Sequence, residues 1–130
     1  MKLINKMLAI CAAFITLAAC QNKVEPVKPG KGITSFCFLM ENNPSLTEDV
    51  ICTVKEDGTI TGAFNDRLLS YKLKATFELD GEEALVNNML QESGISQNDF
   101  SKDVVYDIAL KDGTFMKQTV KMTCKPAPQV

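Results

Sequence analysis

The segment DVVYDIALKDGTFMKQTVKM (residues 103–122) decides the fold of this chain. Apolar and polar residues alternate on both sides of Asp112-Gly113, and a period of two is the pattern of a strand with one buried face. Asp-Gly suits the positive φ angles of a type I′ turn. The segment therefore predicts a tight hairpin made of strands at 103–110 and 114–122.

The same pattern recurs along the rest of the chain. A second pair, Asp57-Gly58, separates two further alternating runs and predicts a second hairpin. The segment EEALVNNMLQ (82–91) fits a short helix or a strand, and we favour a strand because ten residues are marginal for a helix. The predicted strands are 33–40, 49–56, 59–64, 68–79, 82–91, 103–110 and 114–122. About seven short strands predict an all-β protein, an immunoglobulin-like β-sandwich at 33–124, followed by a flexible tail at 125–130.

The alternation also predicts which side chains fill the core. Residues that share one face of a strand are two positions apart, so each run offers one apolar face to the interior. The predicted core residues are Phe36, Phe38, Val50, Val54, Val104, Tyr106, Ile108, Val120 and Met122.

Two stretches resemble the small immunoglobulin-like β-sandwich domains of Bacteroidetes lipoproteins. One is ITSFCFLMENNPSLTEDVICTVKEDGTI (33–60), and the better match is ESGISQNDFSKDVVYDIALKDGT (92–114). In the second stretch, Asn98-Asp99 suits a turn that bonds its own backbone, and Phe100 suits the edge of the core. Gln118 stands where the family usually has Tyr. These motifs are structural, so the resemblance implies a fold and no particular activity.

The N-terminal segment has the features of a secretory signal. Lys2 and Lys6 precede an apolar run of 13 residues, 7–19, which is shorter than the roughly 20 residues of a membrane-spanning helix. The run ends in Leu17-Ala18-Ala19-Cys20, which resembles the lipobox of bacterial lipoproteins. The resemblance implies that residues 1–19 are a cleaved lipoprotein signal peptide.

The same resemblance makes Cys20 the lipid-attachment residue. Its sulfur would carry diacylglycerol and its amine an acyl chain such as palmitate, and two or three acyl chains hold a domain on a bilayer. Residues 20–32 contain two prolines and two glycines without apolar periodicity, and they are interpreted as a flexible tether. Gln21 is not the Asp that favours inner-membrane retention in enterobacterial lipoproteins, so the outer membrane is the expected location, with either face possible.

Composition excludes several classes of function. Residues 1–19 contain two charged residues, both lysines, so their removal changes the formal net charge from −2 to −4. The charges are interspersed and form no basic face, which argues against nucleic acid as a partner. The chain has no histidine, the usual proton shuttle and metal ligand, and no tryptophan. We therefore expect no enzymatic activity, no cofactor and no metal.

The cysteines of the predicted domain leave several pairings open. The first two strands bury their apolar faces together if Phe38 pairs with Val50. In that register Cys37 lies opposite Ile51 and points outward, while Cys52 points inward as a small apolar filler. A disulfide between these two cysteines would need a bulge. A bond across the sheets between Cys52 and Cys124 is the other pairing considered, and metal binding by the three thiols lacks any close spacing.

Acidic residues near turns offer oxygen ligands. Asp80, Glu82 and Glu83 form one group, and Asp99 with Asp103 forms another, but neither matches the Asp-x-Asp-x-Asp-Gly calcium loop. We interpret both groups as turn caps and solvated faces rather than a Ca²⁺ site.

These observations predict an outer-membrane lipoprotein that acts as a binding or scaffold module for a protein partner or an envelope component. One alternative is a glycan-binding accessory of a polysaccharide-uptake system, which Tyr71 stacked in an exposed cleft would favour. Another is an inhibitor of a secreted hydrolase, which a protruding loop at 80–83 or 92–99 would favour. The sequence assigns no ligand-binding residues.

Overall fold

The structure, a computed structural model, describes residues 27–124. The predicted signal peptide, the lipid-attachment residue Cys20 and the predicted tail at 125–130 lie outside the described residues. Residues 27–124 form eleven β-strands and one 3-10 turn, Met40–Asn42, and contain no α-helix. The strands are β1 (Gly32–Phe38), β2 (Val50–Ile51), β3 (Thr53–Val54), β4 (Thr59–Ala63), β5 (Lys72–Lys74), β6 (Thr76–Asp80), β7 (Glu83–Val86), β8 (Met89–Leu90), β9 (Gln97–Asp99), β10 (Val104–Ala109) and β11 (Phe115–Thr123).

The strands build an all-β sandwich of the immunoglobulin-like type, which confirms the predicted fold class. One layer is a six-stranded sheet in the order β3-β4-β11-β10-β7-β8. The other contains a three-stranded sheet, β2-β1-β6, and the two-stranded sheet β9-β5. β4 runs parallel to β11, and the other strand pairs are antiparallel. In the described region no helix has the length and apolar character needed to span a bilayer.

Aromatic rings fill the space between the layers. The ring of Phe36 on β1 lies 5.6 Å from that of Tyr106 on β10, edge to face, and Phe77 on β6 lies 6.0 Å from the same ring. Phe100 is buried and packs 4.8 Å from Phe38. The predicted core is confirmed: seven of its nine residues are buried, and Val54 and Met122 are half-buried against the cluster.

The predicted register of the first two strands is confirmed. Phe38 pairs with Val50 and Cys37 with Ile51, and the Cys52 amide donates to the Phe36 carbonyl at 3.0 Å. At Cys52 the chain leaves the three-stranded sheet and enters the six-stranded one. The predicted strand at 49–56 is therefore two strands, β2 and β3, in different layers.

Two other predicted runs are also divided, and one strand was not predicted, which gives eleven strands instead of seven. The run at 68–79 begins only at β5 and breaks at Ala75, whose carbonyl accepts from the Gly94 amide. The run at 82–91 is a strand region, as favoured, but it folds back on itself. Asn87 and Asn88 have φ of 52° and 67°, as a two-residue type I′ turn requires.

Both predicted Asp-Gly hairpins are present, but their turn type was predicted wrongly. In each, only the glycine has positive φ: 92° at Gly58 and 89° at Gly113. The Gly113 amide donates to the Leu110 carbonyl, and the Leu110 amide donates to the Thr114 carbonyl. This is a three-residue loop, a type I turn closed by a glycine bulge, because one residue more separates the strands than a type I′ turn allows.

The domain begins earlier than predicted, since β1 starts at Gly32 and the residues just before it are docked. The Lys111 amide donates to the Pro29 carbonyl at 3.0 Å, and the Lys31 amide donates to the Asp80 carboxylate at 3.0 Å. The ammonium group of Lys111 lies 3.2 Å from the same carboxylate. Residues 29–31 are thus fixed against the β6–β7 and β10–β11 turns, and the part of the predicted tether from 29 onward belongs to the domain.

Candidate functional site

The outward face of the six-stranded sheet carries the candidate site. Alternation along β10 turns Val104, Tyr106 and Ile108 into the core, so Val105, Asp107 and Ala109 point outward. The core of the sandwich accounts for the first set, and nothing in residues 27–124 covers the second.

Strand register arranges the outward side chains in rows. Ala109 lies opposite Phe115 on one side and Glu83 on the other, which makes one row across three strands. The next row places Asp107 between Lys117 and Leu85, and Leu85 lies opposite Leu90 in β8. A short alanine side chain therefore stands among longer neighbours in both directions.

The result is an open depression of about 500 Å³ above Ala109. We call it the Ala109 depression. Its lining residues are Glu83, Leu85, Asn88, Asp107, Ala109, Phe115 and Lys117. Its floor is β10, which is paired with β7 on one side and β11 on the other, so the backbone below Ala109 offers few free hydrogen-bonding groups.

An apolar patch adjoins the depression. Phe115 on β11 is 71% exposed, and Leu90, on the same face of the edge strand β8, is 56% exposed. The half-buried Leu85 lies opposite Leu90 and lines the Ala109 depression together with Phe115. Exposed apolar side chains beside a polar rim are typical of binding surfaces.

Polar groups form the rim of the Ala109 depression. The ammonium of Lys117 donates to the Asp107 carboxylate at 2.6 Å, and both side chains are partly or largely exposed. Within residues 27–124 the side chains of Glu83 and Asn88 have no hydrogen-bond or ion-pair partner. The rim therefore presents two carboxylates, one amide and one ammonium.

A second open groove, of about 560 Å³, lies between the start of β1 and the β3–β4 turn. Its rim includes Lys31, Lys55 and Glu56, and Met116 and Gln118 lie at its base. The Gln118 amide is buried, and its oxygen and nitrogen are both bonded to the backbone of Ile33. This groove has no exposed aromatic ring. The hydrogen-bonding groups of its buried polar side chain, Gln118, are already used within the fold, so the groove is the weaker candidate.

Of the features proposed from the sequence to discriminate between functions, only the 80–83 loop reaches the Ala109 depression, through Glu83. Tyr71 is not an exposed platform: its ring packs 5.4 Å from Phe64, and its hydroxyl accepts from the Leu68 amide at 3.2 Å. Of the two loops, 80–83 is tied down by the Glu82 amide, which donates to the Ala109 carbonyl. The loop at 92–99 contains β9, which pairs with β5. Both loops are thus held by backbone hydrogen bonds to neighbouring strands.

Three of the five acidic residues considered for Ca²⁺, Asp80, Asp99 and Asp103, are engaged in turns and ion pairs. Asp99 accepts from the hydroxyl of Ser101 at 2.7 Å and from its amide at 3.0 Å, and these bonds lower the pKa of the Asp99 carboxyl. Asp80 holds Lys111 and Lys31, and Asp103 pairs with Lys121 at 2.8 Å. Among residues 27–124 no group of three acidic or cysteine residues is placed to share a metal ion.

The three cysteines of the domain are free thiols. Burial, with a smaller contribution from Cys37, raises the pKa of the Cys52 thiol to about 12. Burial also raises the pKa of Cys37 and of Cys124. Cys52 is the buried filler predicted, and its sulfur lies 3.6 Å from that of Met122. Neither disulfide considered from the sequence is formed.

Comparison with known proteins yields no relative. No protein-family model matches the chain, and neither any curated protein nor any solved structure matches it significantly. The resemblance to Bacteroidetes lipoprotein domains therefore stays a prediction from the quoted residues.

Proposed function

We propose that this protein is a lipid-anchored lipoprotein of the outer membrane that serves as a non-enzymatic binding module. The Leu17-Ala18-Ala19-Cys20 motif supports the anchor, with Cys20 as the lipidated residue. Mass spectrometry of the N-terminal peptide tests this: we expect a mature chain that starts at Cys20 with a diacylglycerol and one amide-linked acyl chain. An unmodified N-terminus would contradict it.

The exposed apolar patch beside the Ala109 depression carries the binding proposal. An isolated sandwich has no need to expose Phe115, because a polar residue at that outward position would keep the core unchanged. Phe115, Leu85 and Leu90 instead lie on the same outward face of the sheet, where burial by a partner would contribute roughly 25 cal/mol for each Å² of apolar area. This surface supports binding better than a spacer role.

The chemistry of the described residues supports a non-enzymatic role. A cysteine nucleophile acts as the thiolate, whereas the raised pKa of all three thiols keeps them protonated near neutral pH. Each carboxyl group in residues 27–124 whose pKa departs clearly from the ordinary value is shifted downward by hydrogen bonds in its own turn or from lysines. A general acid needs the opposite shift.

Affinity capture from native envelope tests the binding role. The lipidated protein and its Phe115→Ser variant are compared, and Ile51→Ser is the matched control because Ile51 is also 71% exposed but lies on the other layer. We expect envelope components that the wild type and the Ile51 variant retain and the Phe115 variant loses. Equal recovery by all three would remove the patch as the binding surface.

A further inference from the structure

We propose that the Ala109 depression binds a neutral glycan, with one pyranose ring seated over Ala109 against the face of Phe115. This inference rests on the proposed binding function and names the ligand class for the same surface. It moves the aromatic platform from Tyr71, which is packed into the fold, to Phe115.

The shape of the site is the first argument. Neighbouring strands are about 4.8 Å apart, so Phe115 and Glu83 flank Ala109 at one strand spacing on either side. A flat ring above the alanine methyl group thus meets an aromatic ring on one flank and a carboxylate on the other. Phe115 is the only aromatic side chain of residues 27–124 that is largely exposed, while the others are buried or half-buried.

The hydrogen-bonding capacity of the rim is the second argument. Glu83 and Asp107 accept, Lys117 donates, and the amide of Asn88 does both. A sugar hydroxyl donates and accepts, so a ring bearing several hydroxyls can use every one of these groups. Glu83 and Asn88 have no partner within the described part of the chain, and they are free to take this role.

Topology argues for a glycan over an extended peptide. A peptide that adds to a sheet needs a free strand edge for its main-chain hydrogen bonds. Ala109 lies on β10, which is paired with β7 on one side and β11 on the other, and its carbonyl already accepts from the Glu82 amide at 2.8 Å. The edge strand β8 is two strands away from β10, so a peptide that paired with that edge would not lie over Ala109. The ligand is therefore held by side chains, as a sugar ring would be.

The charge of the rim indicates which glycans the Ala109 depression would bind. Two carboxylates, Glu83 and Asp107, and one ammonium, Lys117, leave the rim with a formal charge of −1. Uronic and sialic acids would meet this negative rim and be disfavoured. Neutral and N-acetylated hexoses carry no such penalty.

Calorimetric titration of the full-length lipidated protein, in a detergent without a sugar headgroup, tests the proposal. The probes are soluble hexasaccharides of neutral glucose, mannose and N-acetylglucosamine, with a hexamer of galacturonic acid as the acidic probe. We expect at least one neutral probe to bind and the acidic probe not to bind. Phe115→Ala should weaken binding about tenfold, the scale of one aromatic contact. Ala109→Leu, which fills the depression, should abolish it.

The control is Ile51→Ala, which should bind as the wild type does, and circular dichroism checks that each variant is folded. Chemical-shift changes centred on the aromatic resonances of Phe115 would place the sugar. Binding that Ala109→Leu leaves intact, binding of the acidic probe alone, or no binding of any probe up to millimolar concentration would each overturn the proposal. If no sugar binds while Phe115→Ser still loses envelope partners, the ligand class fails and the binding function stands.

Discussion

The side-chain amide of Gln118 is bonded to both backbone groups of Ile33, 85 positions away in the chain. Its oxygen accepts from the Ile33 amide at 2.7 Å, and its nitrogen donates to the Ile33 carbonyl at 3.1 Å. The register of β1 against β6 shifts just after Ile33, where the strand is irregular. Asn43, the other buried amide, bonds the amide and carbonyl of Lys74 in the same way. Each amide replaces a missing strand neighbour.

Replacement of Gln118 by Leu should destabilise the fold by about 3 kcal/mol, because it leaves a buried amide and a buried carbonyl without partners. Urea unfolding of the purified protein measures the change. Gln97→Ala, at an exposed position, should change the free energy of unfolding by less than about 0.5 kcal/mol. A Gln118→Leu variant as stable as the wild type would show that water or rearranged backbone satisfies Ile33.

Acid should release the docked residues 29–31. Hydrogen bonds from Lys111 and from the Lys31 amide lower the pKa of the Asp80 carboxyl. A carboxyl whose pKa is lowered by folding stabilises the folded state above its unfolded pKa, about 3.9, and loses this effect as pH falls through the folded value. The hydrogen-exchange protection factor of the Lys31 amide should therefore be constant near neutrality and fall below about pH 4.

Asp80→Ala should remove that protection at neutral pH. Asp103→Ala, which breaks the separate exposed pair with Lys121, should leave it unchanged. Protection of Lys31 that survives Asp80→Ala would mean that the bond between Lys111 and Pro29 is sufficient.

Gly62→Ala should destabilise the fold, because the added methyl group would clash with Cys52, where the chain passes from one layer to the other. A Cβ at Gly62 would lie 2.7 Å from the Cys52 sulfur and 3.0 Å from the Met122 methyl carbon. Overpacking of this kind costs about 1–3 kcal/mol. Cys52→Ala should create the missing space, so Gly62→Ala should cost less in the double variant than in the wild-type background. Chemical unfolding of the four proteins measures this coupling, and simple additivity of the two costs would contradict it.

The three thiols should differ in reactivity in the folded protein. A pKa of about 12 at Cys52 leaves about 10⁻⁴ of it as thiolate at pH 8, and its side chain is buried. Cys37 and Cys124 are partly exposed, so alkylation by iodoacetamide should modify them first. Peptide mapping by mass spectrometry follows each site over time. In denaturant all three should react alike, whereas equal rates in the native protein would argue against a buried Cys52.

Much of the fold follows from the even-odd pattern of side chains. The pairing of Phe38 with Val50 could be predicted because a shift by one residue would expose an entire apolar face. The division of the run at 49–56 could not be predicted. Val50, Cys52 and Val54 all point inward, and this parity is the same whether the strand stays in one layer or crosses to the other at Cys52.

The turn types and the candidate site needed information that alternation lacks. Asp-Gly is compatible with a type I′ turn and with a glycine bulge, and loop length decides between them. Asn87-Asn88 forms the type I′ turn within a segment whose spacing also fitted a helix. The signal for the site was an apolar residue on the outward face: Phe115 precedes the inward Met116, so one of the two must be exposed.

The docking of Pro29 limits how far the domain can lie from a lipid anchor at Cys20. Its bond to Lys111 lies at the end of the sandwich where β10 turns into Phe115, so the Ala109 depression opens near the point at which the chain enters the fold. Only eight residues lie between Cys20 and Pro29, and the nine Cα-to-Cα steps from one to the other span about 30 Å when the chain is fully stretched. With the proposed anchor at Cys20, this short connection keeps Pro29 within about 30 Å of the lipid headgroups, so a ligand of the Ala109 depression would be captured close to the membrane surface.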